Sequence, residues 1–119
     1  MRAINVCAFA LLCLPVFAGI LRAEEKPDPV QLEFFETRIR PVLVEHCYSC
    51  HSLNSDSVKG GYLLDSRKAI RQGGESGVSV VPGKPDESLL LSAMKYESFE
   101  MPPKGKLPDE VIKDFEIWI

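Results

Sequence analysis

Cys47, Cys50 and His51 stand in the stretch EHCYSCHS, residues 45–52, two thiols with two residues between them and an imidazole directly after the second. Four kinds of chemistry use such residues. A zinc site needs four convergent ligands, and the local set of Cys47, Cys50, His51 and His46 consists of sequence neighbours that close poorly around one ion. A thioredoxin-like pair places C-x-x-C at a helix N-terminus, where the thiol pKa falls, whereas here the helical spacing precedes Cys47. A structural disulfide between Cys47 and Cys50 closes a tight, strained loop. Covalent haem gives each of the three residues a separate role, in which the thiols add across two vinyl groups and the imidazole that follows binds iron from one face. The expected cofactor is therefore one covalently attached haem c, with Cys47 and Cys50 as thioether anchors and His51 as proximal iron ligand.

Iron has a second face, and Met101 in the proline-stiffened run EMPPKGKLPD is the expected distal ligand. Its thioether is a soft donor that favours ferrous iron and raises the potential. Met94 shares an apolar helical face with Leu90, so core packing is expected of it. His46 is too near Cys47 to cross to the far face and reads as a helix-end residue. Arg67, Lys68 and Arg71 carry charges suited to haem carboxylates, but a solvated helix face is the expectation for them. No general base or nucleophile is arranged for catalysis, so no catalytic residue is assigned.

These residues need elements to position them. From Leu32 the spacing of Phe35, Ile39, Val42 and Leu43 is helical, and Pro41 should kink that helix or start a new one, delivering Cys47 at its C-terminal end. Asp65 or Ser66 can cap a short helix RKAIRQ ended by Gly73 and Gly74, and Asp86 can cap ESLLLSAMKY. Val78, Val80 and Val81 read as extended. At the end of the chain Val111, Ile112, Phe115, Trp118 and Ile119 form one helical face with no capping residue after it. That face suggests a domain truncated at its C-terminus, with unpaired terminal carbonyls. The pattern is all-α: three or more helices and long loops around one haem, which substitutes for the core so short a chain lacks. The helix before Cys47, the 89–94 helix and the terminal helix are expected to surround it.

The N-terminus sets the compartment. Met1 and Arg2 precede an apolar run of about 15 residues, Ala3 to Phe17, the length of a signal-peptide core and short for a membrane span. Residues 1–23 read as a signal peptide cleaved after Ala23 or Ala18 or kept as an anchor, 24–31 as a linker and 32–119 as the domain. Cleavage removes Cys7 and Cys13, which leaves Cys47 and Cys50 as the remaining thiols. The whole chain has 14 Lys and Arg against 17 Asp and Glu. The leader takes Arg2 and Arg22 but no acid, so 12 against 17 remain, a net charge of −5. That balance, with no basic stripe, excludes nucleic acid and anionic membrane as partners.

The chain resembles the cytochrome c domain found at the N-terminus of large exported planctomycete proteins. The blocks FFETRIRPVLVEHCYSCHS, KGGYLLDSRKAIRQGGESG, VVPGKPDESLLLSAM and EMPPKGKLPDEVIKDFEIWI carry the likeness in that order, from about Phe34 to Ile119. The resemblance implies a small cytochrome c-like fold, haem on Cys47 and Cys50, His51 as proximal and Met101 as distal ligand, and larger domains further along. The function expected is single-electron transfer in the periplasm or cell envelope, to a redox partner protein or to downstream domains of the same chain. Two rivals stand beside it: a haem module feeding a downstream catalytic domain, and a haem sensor or peroxidase-like site with an open sixth position.

Overall fold

Asp28 and Pro29 start the first helix. The Asp28 carboxylate accepts a hydrogen bond from the Val30 amide at 3.0 Å, and proline occupies the first turn, where its missing N–H costs nothing. The computed structural model describes residues 26–119, so the signal peptide expected over 1–23 lies outside the described residues. The linker expected to run to residue 31 ends earlier, because this Asp–Pro pair opens helix α1, Pro29–Phe34.

Pro41 shapes the next stretch of chain. It stands in the first turn of α2, Arg40–His46, and a continuous α-helix would lack one amide bond there. The chain answers with a π-helical segment, Phe35–Ile39, closed by the Arg40 amide on the Phe35 carbonyl, and then resumes as α2. Ile39 and Leu43 are both fully buried, which fixes the rotation of this helical run and so the place of Cys47 at its end.

Helix α3, Tyr48–His51, is a single turn. Helix α4, Arg67–Gln72, has the Ser66 hydroxyl on the Ala69 amide at 3.2 Å, and Gly73 ends it at φ 78°. Asp65, the alternative cap, instead accepts from the Leu53 amide at 2.6 Å. Helix α5, Leu89–Met94, is not capped by Asp86, which sits in a preceding 3₁₀ turn. Ser88 stands at its N-cap, but its hydroxyl takes the Val81 amide at 3.0 Å and donates to the Lys84 carbonyl at 2.9 Å, tying the Val81–Lys84 loop to the helix start. Helix α6 is Asp109–Trp118. Among the described residues no strand forms: the Val78–Val81 stretch stays irregular, and Gly74 and Gly77 make one isolated bridge.

The core joins Ile39 and Leu43 to Leu64, Ile70, Val80, Leu90, Leu91, Met94, Leu107, Ile112 and Phe115. Helix α6 packs behind α5 and the π segment through Ile112 and Phe115, and two ion pairs frame that packing: Arg38–Asp114 at 2.9 Å and Lys95–Glu116 at 2.7 Å. Its terminal carbonyl does have a partner, contrary to expectation, since the Gly83 amide donates to the Ile119 oxygen at 2.7 Å. No helix among the described residues is long and apolar enough to cross a membrane.

Candidate functional site

The end of α2 turns into α3 at Cys47, whose φ of −121° breaks the helix. Its amide still bonds the Leu43 carbonyl at 2.9 Å, while its own carbonyl accepts from Cys50 at 3.1 Å and His51 at 2.9 Å. These bonds close the C-x-x-C-H loop into one turn. Ser52, buried behind it, donates its hydroxyl to the Tyr48 carbonyl at 2.7 Å.

His51 is held by a strap of main chain. The Leu64 amide donates to the His51 carbonyl at 2.7 Å, and His51 Nδ1 lies 3.1 Å from the Tyr62 carbonyl oxygen. A carbonyl only accepts, so Nδ1 carries the ring proton and Nε2 keeps its lone pair for a ligand. The strap is backed in turn by the Gly73–Gly77 turn, where the Glu75 amide bonds the Gly60 carbonyl at 2.9 Å.

Cys47, Cys50 and His51 line a cavity of about 630 Å³ with Met101, the size of pocket that encloses a cofactor. The rest of its wall is mostly apolar: Leu64, Leu89, Leu90, Ala93, Met94 and Leu107, with Pro102 and Pro103 on the loop that carries Met101. Met101 is half-buried, and Met94 is 3 % exposed within the core it was expected to join, though it also borders the cavity. His46 sits at the end of α2 beside Glu45, at 3.8 Å, on the cavity's edge. One expectation fails: helix α6 contributes nothing to the cavity wall, because α5 stands in between and takes its apolar face. Arg67, Lys68 and Arg71 are exposed, as expected of a solvated helix face, and Arg67 and Arg71 border a separate cleft with Phe34, Phe35 and Trp118.

Burial pushes the Cys47 thiol up to about 11, with the neighbouring Cys50 adding to the shift. A nucleophilic redox thiol needs the opposite shift, which weighs against a thioredoxin-like pair. Nor do the described residues gather three or more His, Cys, Asp or Glu around one point, as a zinc site would require. Tyr62 is likewise pushed up to about 12 by burial; Ser79 approaches its hydroxyl and tempers the rise, yet Tyr62 Oη closes no hydrogen bond. A buried orphan hydroxyl, two thiols, a free imidazole nitrogen and a thioether around an apolar cavity fit haem, which is flat, apolar and fringed by two carboxylates.

Two contributors escaped the sequence. Tyr62 acts on His51 through its main-chain carbonyl, and no side-chain type advertises that. Tyr96 donates its hydroxyl to the Pro102 carbonyl at 2.5 Å; the available signal was the absence of glycine after α5.

No curated protein and no solved structure matches this chain. The family model described as planctomycete cytochrome C matches residues 47–105, a span that opens on Cys47 and closes within the loop that carries Met101. Haem-binding electron transfer is the chemistry of cytochrome c domains. Residues 47–105 are a planctomycete cytochrome C domain.

Proposed function

We propose that this domain holds one haem c and passes single electrons through it in an exported chain. The observation that carries the reading is the meeting of Cys47, Cys50, His51 and Met101 on one cavity, with His51 Nδ1 turned to Tyr62. When bound, haem supplies an iron that takes up and releases one electron. Cys47 and Cys50 would anchor it by thioethers, each thiol adding its sulfur and its hydrogen across one vinyl group. His51 would present Nε2 to the iron from a ring already fixed by the strap. Met101 would offer its thioether as a second iron donor and favour the ferrous state. Leu64, Leu90 and Met94 keep water from the interior, so the charge change occurs in an apolar surrounding.

A partner would approach where the cavity meets solvent, beside the exposed residues Ser49, Lys59, Phe99 and Lys104. That partner is a redox protein or a further domain of the same chain. Export rests on the apolar run 3–17 and on the chemistry of attachment, which bacteria carry out outside the cytoplasm. A sensor or peroxidase-like site would need the iron position offered to Met101 left open.

Extraction tests the reading. Denatured protein treated with acidified organic solvent should keep its haem chromophore, because thioethers to Cys47 and Cys50 survive what releases non-covalent haem. Haem that passes wholly into the solvent ends the proposal.

A further inference from the structure

Helix α5 ends on a Schellman motif with the wrong residue in it. Lys95 is the C-cap, the Tyr96 amide bonds the Ala93 carbonyl at 3.1 Å, and the Glu97 amide reaches back to the Ser92 carbonyl at 2.9 Å. In such a motif the residue after the cap lies in the left-handed region and is usually glycine. Here Tyr96 adopts φ 66°, the one non-glycine residue at positive φ among the described residues. A bulky side chain is costly in that region, so its presence calls for a compensating contact. That contact is its hydroxyl, which donates to the Pro102 carbonyl at 2.5 Å. Pro102 is buried and follows Met101 directly.

We infer that Tyr96 is a positioning residue for Met101, a latch that holds the Met101 loop against the end of α5. The inference rests on the reading of Met101 as distal ligand. Two further contacts run the same way: the Met101 amide bonds the Ala93 carbonyl at 3.3 Å, and the Ser92 and Ser98 hydroxyls lie 2.7 Å apart. The first of these is long for an amide bond, and the second ties the loop's far end rather than Met101. The Tyr96 bond is therefore the short tether beside the ligand. With it in place, the thioether is presented to the cavity without a search by the loop. Without it, the loop from Glu97 to Lys106 gains freedom, and Met101 competes less well with an external donor.

The test uses the ferric haem-loaded protein with imidazole as the competing ligand. Tyr96→Phe removes only the hydroxyl, and it should raise imidazole affinity about fivefold, the equilibrium equivalent of one net hydrogen bond. In a Met101→Ala background the same substitution should leave imidazole affinity unchanged, since nothing remains to be displaced. An equal affinity in Tyr96→Phe and wild type overturns the latch. So does an increment that persists in Met101→Ala, which would mean that the hydroxyl acts on the loop and not through the thioether. Tyr96→Gly is the companion variant: it relieves the backbone, loses the latch, and should raise imidazole affinity even where it raises the unfolding midpoint. A wild-type ferric spectrum with no sulfur-to-iron charge-transfer band would sink the ligand reading itself, and the latch with it. A normal wild-type band with an unresponsive Tyr96→Phe sinks the latch alone.

Discussion

Gly74 stands so close to Tyr62 that a Cβ placed on it would lie 2.8 Å from the tyrosine Cβ, and 2.5 Å from the Gly60 carbonyl oxygen. The glycine is needed here for space: the turn 73–77 presses on the strap whose carbonyl orients His51. Gly74→Ala must push Gly60 and Tyr62 aside. The expected cost is about 1–3 kcal/mol of stability, as for other overpacked sites, together with a shifted reduction potential as the His51 hydrogen bond distorts. Gly77→Ala is the control for crowding, since nothing lies within 4 Å of its added Cβ, although its φ of 105° makes it strained. A Gly74→Ala variant with wild-type stability and potential would show that the strap does not govern His51.

Met94 and Met101 border the same cavity but should respond oppositely to truncation. Met94 is 3 % exposed between α5 and the core, so Met94→Ala should destabilise by about 2–5 kcal/mol and leave the sulfur-to-iron band in place. Met101→Ala should abolish that band and lower the potential, with a smaller loss of stability. Near-infrared absorption and urea titrations of the two variants decide the matter, and loss of the band in Met94→Ala would reverse the assignment.

Alkaline pH should separate the chain before and after haem attachment. The Cys47 thiol is raised from 9.0 to about 11 in the fold, so with rising pH the unfolded chain loses this proton first. Stability is then full below pH 9 and declines between about 9 and 11, by about 2–3 kcal/mol in all. Once Cys47 is a thioether it has no proton to lose, and the decline should vanish. Tyr62, raised from 10.0 to about 12, adds a similar decline from 10 to 12 in either form. Denaturation midpoints between pH 9 and 10 isolate the thiol. A slope there that is the same with and without attached haem refutes the assignment.

How much the sequence revealed depended on how local each signal was. Ser66 and Gly73 bracket a helix through bonds three or four residues long, and Pro41 marks its own irregularity, so these were legible. The spacing of Cys47, Cys50 and His51 encodes a single turn and needed no tertiary information. Asp86 misled because it is a good cap placed too early; Ser88 takes the position, and its hydroxyl serves the distant Val81 instead. The terminal helix misled because its apolar face suits a haem as well as a core, and which one it meets depends on α5 standing between. The Tyr62 carbonyl and the Tyr96 latch were hidden for the same reason: each joins positions whose proximity is created by the fold.

The strap around His51 also sets an order of assembly. Its two bonds span 11 residues to Tyr62 and 13 to Leu64, whereas Met101 lies 50 residues beyond His51 in the chain. Closing the longer loop costs about 1 kcal/mol more entropy, and contacts that are near in sequence form sooner. The proximal half of the site should therefore mature as a unit, with the thioether arriving last. In refolding of the haem-loaded protein, amide protection over 51–64 is expected to precede the return of the sulfur-to-iron band. Throughout that interval the iron would have one face satisfied and the other open to whatever donor the solution contains.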